Sequence, residues 1–407
     1  MGRIAGRFKR VEPRRRVRRL VLGLLSDLPR KNCWTIAEWA GESTQHLLGR
    51  PKWDADAVRD DVRRYVVEHL HDDQVVLVVD EAGDVKKGTD TVGVQRQYTG
   101  TAGRIENAQV AVYLVYAGRG GHAAVDRELY VPRSCTTDPD RCRAAGLGEE
   151  TVFATKPELA ARMVARFLNA DHQAAWVAGD EVYGGNPKLR TALEQRGTGY
   201  VLAVACSHEA TTGAGKFRAD TLAKKVPKRA WQKLSAGTGA KGQRFYDWAV
   251  IDLDYPAPGN RQLLIRHSRS TGELAHYHCY SPTPAPMTEL VRIAGSRWRV
   301  EEFFQTGKGL AGLDEHQVRR YASWSRWVAL AILAHAFLAI VRANEQARHP
   351  APDGLTPLTC NEIQHPFITL VFQPIHTAAY RLRWSTWRRH HQARSQTSHY
   401  QRQATQA

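Results

Sequence analysis

Three acidic residues, far apart in the sequence, are the side chains best placed to do chemistry. Asp80 and Asp180 each follow a short apolar run, so both carboxylates are expected where a buried strand reaches the edge of a sheet. Open sheets place their ligand sites at such strand ends. Glu301 lies in a stretch with the pattern of a helix. The sequence therefore predicts one site built from these three carboxylates.

The helix around Glu301 is expected to carry two cations on the same face as the carboxylate. At 100° per residue, Arg297, Glu301 and Lys308 fall within about 40° of one another. Glu302 instead points roughly 140° away from Arg297. This spacing favours Glu301 over Glu302 as the third acid of the site.

Three carboxylates in one place suit divalent metal chemistry. Hard cations such as Mg²⁺ prefer carboxylate oxygens and leave positions for water and phosphate. Two such ions, about 3.5 to 4 Å apart, can activate an attacking oxygen and stabilise a leaving one at phosphorus. The hypothesis is a metal-dependent phosphodiester-transfer site. The alternative is chance, because a chain with 41 acidic residues ends some strands in Asp.

Several separated motifs, spread from about residue 10 to 345, carry a resemblance to a known family. They are Val79-Asp80-Glu81-Ala82-Gly83, Tyr98-Thr99-Gly100-Thr101-Ala102-Gly103-Arg104, Gly179-Asp180-Glu181-Val182-Tyr183-Gly184, Arg297-Trp298-Arg299-Val300-Glu301-Glu302 and Gly312-Leu313-Asp314-Glu315-His316-Gln317-Val318-Arg319. Together they resemble the DDE transposases of bacterial insertion sequences. The spacing of Arg297, Glu301 and Lys308 resembles the subgroup with a Tyr-Arg-Glu-Lys signature, although Ala294 stands where that signature has Tyr.

The resemblance implies a fold, a reaction and a set of partners. The fold would be α/β, with a ribonuclease-H-like mixed sheet and flanking helices. Asp80, Asp180 and Glu301 would bind two Mg²⁺ ions, for which Mn²⁺ can substitute. The enzyme would cleave double-stranded DNA at transposon ends and join the 3′-hydroxyl to a target, acting as a homodimer on the DNA. Arg297, Lys308 and Arg319 would contact DNA.

Two other functions remain open from the sequence. One is a transposase-derived regulator that binds DNA through its helical amino end without catalysis. The other is a structure-specific nuclease that cuts DNA without joining it. A nicking assay with Mg²⁺ separates the first from a transposase, and a strand-transfer assay separates the second.

The composition supports a nucleic-acid partner and an intracellular location. With 58 Lys and Arg against 41 Asp and Glu, the net charge is +17 and the pI about 9.8, which is typical of nucleic-acid binders. The six cysteines form no CxxC pair, so we expect neither disulfides nor structural zinc, and a cytoplasmic, nucleoid-associated protein. No apolar run indicates a signal peptide or a membrane span. Segment 210–217 lacks the pattern of a nucleotide-binding loop.

The pattern along the chain predicts three regions. Residues 1–72 are expected to form a helical DNA-binding domain, in which 35–48 has the proportions of a helix-turn-helix. Residues 73–345 are expected to form the catalytic domain, interrupted by a β-rich insertion at about 205–285. Residues 346–407 read as a basic tail. Within the catalytic domain, strands are expected over 74–80, 91–98, 109–116, 175–179 and 199–204, and helices over 157–169 and 186–195.

Three further patterns have simple structural interpretations. His276 and His278 alternate on a strand without a second cluster to complete a metal site, so we expect a satisfied strand edge. His335, in an apolar helix, is expected to be a hydrogen-bonded core residue. In the insertion, aromatic residues such as Trp231 and Trp248 stand beside lysines and arginines. They could stack on an unpaired base, although core packing is the commoner role.

Overall fold

The computed structural model describes residues 1–41, 45–49, 53–239, 242–352 and 355–371, together with ten positions between 386 and 401. The helix cap predicted at Ser43 or Thr44 lies outside the described residues. So do Trp384 and Trp387 of the basic tail. The described part of the chain forms a large mixed sheet with helices around it.

Twelve strands are present among the described residues, and ten of them form one sheet. The strands are β1 (Val76–Val85), β2 (Gln95–Thr99), β3 (Arg104–Ala117), β4 (His122–Tyr130), β5 (Trp176–Gly179), β6 (Gly199–Val204), β7 (Glu209–Thr212), β8 (Gly215–Arg218), β9 (Gln232–Gly239), β10 (Gly242–Asp252), β11 (Asn260–His267) and β12 (Leu274–Ser281). The order in the large sheet is β2-β3-β1-β5-β6-β12-β11-β10-β9, with β4 also paired to β3. Strands β7 and β8 form a separate hairpin.

Fifteen α-helices surround this sheet in the described residues. They are α1 (Gly2–Ala5), α2 (Val11–Leu25), α3 (Cys33–Ala40), α4 (Gln45–Gly49), α5 (Ala55–His69), α6 (Arg133–Thr136), α7 (Pro139–Ala145), α8 (Lys156–Leu168), α9 (Glu181–Gly184), α10 (Pro187–Glu194), α11 (Ala219–Lys225), α12 (Met287–Ser296), α13 (Trp298–Ala311), α14 (Tyr321–Arg348) and α15 (Cys360–Val371). The helices predicted over 157–169 and 186–195 correspond to α8 and α10.

The centre of the sheet has the ribonuclease-H-like arrangement that the resemblance implied. Strand β1 pairs antiparallel with β3 and parallel with β5, and β5 pairs parallel with β6. Strand β4 lies antiparallel on the far side of β3. Five strands in the order β4-β3-β1-β5-β6 therefore form the core, with the parallel pairs on one side of β1 and the antiparallel pairs on the other.

Strand β1 is longer than its apolar run predicted, and this changes the position of Asp80. The apolar residues 75–79 suggested a strand that ends at Asp80, but β1 continues to Val85 because β3 pairs with it along its whole length. The parallel partner β5 stops earlier, with Gly179 opposite Val79. Asp80 therefore lies in mid-strand, yet it is the first residue beyond the parallel pair.

The β-rich region at 205–285 extends the sheet instead of interrupting it. Strand β12 pairs antiparallel with β6, and β11, β10 and β9 follow in order. The chain then returns through α12 and α13. Strand β10 also touches this return, because Arg244 donates to the carbonyl oxygen of Gly295 at 3.1 Å. The extension thus forms a wall beside the helix that carries Glu301.

The amino-terminal helices share one hydrophobic core with the sheet. Buried residues of α2 and α5, such as Leu20 and Val62, belong to the same apolar cluster as β1. A buried ion cluster adds to this contact: Asp126 of β4 lies 2.8 Å from Arg166 and 3.7 Å from Arg59 of α5. The 1–72 boundary stays a prediction, but the described helices are fixed to the catalytic sheet by apolar and ionic contacts.

By length and composition alone, helix α14 could cross a membrane. However, 78% of its most apolar 18-residue segment is buried inside the protein. It packs against α2, α5, α13 and β4. Its His335 is fully buried and lies 2.8 Å from the hydroxyl of Thr306, as expected for a hydrogen-bonded core histidine. Helix α14 is therefore a core helix that supports α13 from behind.

Candidate active site

Asp80 and Asp180 are brought together by two adjacent parallel strands. Val79 of β1 lies opposite Gly179 of β5, and Asp80 and Asp180 are the next residues along the two strands. The two aspartates therefore occupy neighbouring positions at one end of the parallel pair. Asp80 is only 8% exposed, and its Oδ1 accepts from the backbone N–H of Glu81 at 2.8 Å. The carboxylate of Asp180 caps α9 by accepting from the N–H of Val182 at 2.9 Å.

Burial and neighbouring acids make the ionisation of both aspartates costly. Burial raises the pKa of the Asp80 carboxyl to about 8, and the charge of Asp180 adds to this effect. Burial also raises the pKa of Asp180, helped by the nearby Glu81. Two acidic groups that share a poorly solvated place disfavour a second negative charge there, so a cation beside them would favour ionisation of both.

The helix of Glu301 meets this pair through Arg297. Residue Arg297 stands at the junction of α12 and α13, and its Nη1 lies 3.2 Å from Asp80 Oδ2 and 3.6 Å from Glu301 Oε1. The predicted shared face of Arg297 and Glu301 is therefore real in the structure. Glu301 itself has a side chain that is 45% exposed. Two carboxylates, those of Asp80 and Glu301, thus contact one guanidinium, and Asp180 stands beside Asp80 on the neighbouring strand.

The donor set fits a divalent cation, with Arg297 standing where positive charge is needed. Among the described residues, no group of three or more His, Cys, Asp or Glu side chains is close enough to hold a metal ion. The two aspartates form the close pair, and Glu301 reaches it only across Arg297. Carboxylate oxygens are the ligands that Mg²⁺ prefers, and the raised pKa of Asp80 marks the position where a cation would be stabilised.

Neighbouring acids that could compete for a metal are engaged elsewhere. Glu81 accepts from Lys156 Nζ at 2.6 Å and from the hydroxyl of the buried Tyr183 at 2.7 Å. Glu302 accepts from Arg299 at 2.7 Å. The contacts of Glu81 anchor α8 and α9 beside the site, whereas Asp80 and Asp180 form the close pair and Glu301 is joined to Asp80 through Arg297.

The predicted DNA-contacting cations lie at different distances from the carboxylates. Arg297 touches two of them, whereas Lys308 lies about three turns further along α13, 4.0 Å from Asp84 and 3.3 Å from the hydroxyl of Thr101. Arg319 is exposed and pairs with Asp90 at 3.1 Å. The structure thus joins Arg297 to the site directly and places the other two beside it or at the surface.

A basic and aromatic cavity adjoins Arg297, and the sequence pattern did not reveal it. It has a volume of about 360 Å³ and lies between the sheet extension and the α12–α13 junction. Its lining includes Arg244, Arg266 and Trp298. The aromatics predicted for stacking behave differently: Trp248 is 1% exposed and packs in the core, while Phe245 remains exposed. Only pairing of β9 and β10 with the rest of the sheet creates this cavity.

The charge on Asp80 makes stability depend on pH in a direction that can be measured. The pKa of its carboxyl is raised from 3.8 to about 8 on folding, so the native state binds the proton more tightly than the unfolded state. Stability is therefore lost as pH rises between these values. We expect Asp80→Asn to melt at a higher temperature than the wild type at pH 8 in chelator, with a smaller difference at pH 5. Equal melting temperatures at pH 8 would contradict the assigned burial.

A family model described as DDE superfamily endonuclease matches residues 3–265 of the chain. The chain belongs to this family, which implies the use of a divalent metal. The match ends before Glu301, so the assignment of the third acid rests on its position and on the sequence signature.

A curated relative agrees with the family. The chain is 30% identical over 194 residues to a probable transposase for insertion sequence element IS701 from Microchaete diplosiphon. The aligned part covers 46% of this chain and 48% of that protein, so it spans about half the length of the relative. The resemblance to insertion-sequence transposases is confirmed.

A solved structure of piggyBac transposase in a synaptic complex with hairpin DNA is also similar, at 10% identity and a TM-score of 0.47, covering 92% of this chain and 76% of that one.

Proposed function

We propose that the protein is a DNA transposase that cleaves DNA at transposon ends and joins the 3′-hydroxyl to a target by strand transfer. The arrangement of Asp80, Asp180 and Glu301 around Arg297 is the observation that carries this proposal. Mg²⁺ ions held by these carboxylates, or Mn²⁺ in their place, would supply the positive charge that activates the attacking oxygen and stabilises the leaving oxygen. Family membership and the IS701 relative support the same reading.

The side chains around the carboxylates have separate roles in this proposal. In the free protein, Arg297 pairs with Asp80 and Glu301. In the proposed complex, where a metal ion would lie beside these carboxylates, the guanidinium would be available to contact a DNA phosphate. The guanidinium is suited to this because its planar donors match phosphate oxygens. Glu81 holds α9 in place through Tyr183 and α8 through Lys156. These contacts would keep Asp80 and Asp180 next to each other at the ends of their strand pairing.

The partner in this proposal is double-stranded DNA, first the transposon end and then the target. The net charge of +17 favours a polyphosphate, and joining two ends calls for two copies of the chain in the DNA complex. The protein would work in the cytoplasm, at the nucleoid. Base reading by the segment 35–48 stays a prediction, because part of that segment lies outside the described residues.

Two assays on the same DNA test the proposed function. A supercoiled plasmid carrying the DNA that borders the gene is incubated with the protein and Mg²⁺, and a pre-cleaved end with a free 3′-hydroxyl is offered with a target plasmid. We expect nicking at the border in the first assay and covalent joining in the second. Binding without nicking would indicate a regulator, and nicking without joining would indicate a nuclease.

Lys308 is expected to contribute to DNA binding through a phosphate. Lys308→Ala should weaken binding of border DNA at every sequence and lower the slope of log K against log salt by about one unit. The measurement is fluorescence anisotropy at several salt concentrations. Lys216→Ala is the control, because Lys216 pairs with Glu209 on the separate β7–β8 hairpin. An unchanged slope in Lys308→Ala would show that this side chain does not reach phosphate.

A further inference from the structure

A second group of charged side chains lies beside the candidate active site and has no role in the chemistry described so far. Asp84 follows Asp80 by four residues on β1, so both side chains leave the same face of the strand, roughly 13 Å apart. Helix α13 runs beside this strand. Arg297 meets Asp80, and Lys308 meets Asp84. Strand and helix are thus joined by two ionic contacts, one at the catalytic carboxylate and one further along.

Three nitrogen-bearing side chains converge on the Asp84 carboxylate. His316 Nε2 lies 3.3 Å from it, Lys86 Nζ 3.9 Å and Lys308 Nζ 4.0 Å. Lys86 also donates to the backbone oxygen of His316 at 3.1 Å. Lys86 follows β1, Lys308 belongs to α13 and His316 to the segment after α13, so the carboxylate ties the end of β1 to a region more than 200 residues later in the sequence.

The cluster is shielded from water. The Asp84 side chain is 14% exposed and that of His316 is fully buried. Burial raises the pKa of the Asp84 carboxyl, but the contacts with His316, Lys86 and Lys308 outweigh it and hold that pKa below its ordinary value. Burial also lowers the pKa of His316. Asp84 is therefore held in its charged form by the nitrogen-bearing side chains around it.

The geometry restrains Lys308 in particular. A lysine ammonium is a point charge on a flexible stem and loses rotamer entropy when it is held in one place. Here Asp84 lies on one side of the ammonium and the Thr101 hydroxyl on the other. Thr101 belongs to the turn between β2 and β3, and that turn is itself anchored, because Thr99 is buried against Gly83 of β1. The ammonium of Lys308 is thus set in position before any DNA arrives.

We propose that Asp84 is a positioning residue of the cleavage site, which orients the Lys308 ammonium toward a DNA phosphate next to the scissile one. Asp84 touches no reacting atom, and its effect passes through Lys308. The proposal rests on the proposed function, since it needs DNA cleavage to act on. It also gives a role to a carboxylate that stands beside two lysines.

Positioning and bulk electrostatics predict opposite results for one substitution. Asp84→Asn removes a negative charge near Lys86 and Lys308, so affinity for DNA should stay the same or increase. Lys308 would lose its restraint, and a misplacement of about 1 Å can cost up to about a hundredfold in rate. We therefore expect single-turnover nicking of border DNA to slow between about tenfold and a hundredfold while binding by anisotropy does not weaken.

A double-mutant cycle separates positioning from general stabilisation. If Asp84 acts through Lys308, adding Asp84→Asn to Lys308→Met should slow nicking no further than Lys308→Met alone. A purely structural contact would instead lower the rate by the same factor in both backgrounds. The proposal would be overturned if Asp84→Asn slowed nicking by the same factor with and without Lys308→Met. It would also be overturned if Asp84→Asn alone nicked at the wild-type rate.

A charge-retaining variant keeps the test valid if Asp84→Asn does not fold. Asp84→Glu preserves the charge beside Lys86 and shifts the carboxylate by one methylene, so we expect a folded protein with slower nicking, and a wild-type rate in it also overturns the proposal. The Asp80→Ala variant serves as reference for the proposed function. If the wild type does not nick border DNA, the proposed function fails and this inference fails with it; if the wild type nicks and only the Asp84 results disagree, the positioning role alone is wrong.

Discussion

Asp80→Ala is expected to abolish Mg²⁺-dependent nicking of border DNA while leaving DNA binding largely intact. Asp80 is the most buried of the three acids, and it faces both Asp180 and Arg297. Removing it takes away the central carboxylate that would hold the metal charge. Such charge stabilisation contributes several kcal/mol, so the rate should fall on the order of 10³-fold or more. Single-turnover nicking and anisotropy on the same DNA measure the two effects separately.

A nearby acid provides the control for this substitution. Asp73 lies just before β1, and its side chain is 88% exposed. Asp73→Ala removes the same charge from the protein without touching the site, and we expect nicking at the wild-type rate. Nicking that persists in Asp80→Ala would mean that another acid performs the chemistry, and the proposed function would have to be abandoned in this form.

Glu301→Ala is expected to have the second largest effect, and its neighbour on the same helix gives a matched comparison. Glu301 meets the site through Arg297, whereas Glu302 pairs with Arg299 and lies 3.8 Å from His122. Loss of a group that stabilises transition-state charge costs about 10²- to 10³-fold in rate. Glu301→Ala should fall in this range, and Glu302→Ala should nick close to the wild-type rate with a lower melting temperature.

The pair also tests the register of α13. If Glu302→Ala were the inactive variant, the helix would present the other acid in the DNA complex, and the present arrangement around Arg297 would not be the catalytic one. Nicking in both variants would show that two aspartates suffice. Either outcome can be read against the Asp80→Ala result, because all three variants are assayed on the same plasmid.

The local elements were largely predictable, because their signals lie within short windows. The apolar run at 199–204 predicted β6 with its observed bounds, and the pattern at 157–169 predicted α8 within one residue at each end. Asp54 caps α5 by accepting from the N–H groups of Asp56 and Ala57, and an Asp just before a periodic apolar run is a local signal of a helix start. Helices α6 and α7 were not predicted. Each has at most seven residues, which is too short for a periodic apolar pattern.

Strand ends were less predictable, because a strand stops where its neighbours stop pairing. The sequence placed the end of the first strand at residue 80, while pairing with β3 carries β1 to Val85. The strand expected over 91–98 forms only from Gln95 to Thr99. The β-rich region at 205–285 was correctly predicted as strands, but its union with the central sheet depends on β12 pairing with β6, about 75 residues earlier in the chain.

The sequence by itself determined the identities and local settings of the chemical groups: two aspartates after apolar strands, an arginine and a glutamate one helical turn apart, and an excess of positive charge. The tertiary structure alone decided how they meet. Arg297 lies between Asp80 and Glu301, and Lys308 shares Asp84 with His316, through contacts across more than 200 residues. Spacing along a chain fixes which side chains share one helix or strand face. Which faces come together depends on how the sheet and α13 pack, and that is a property of the folded protein.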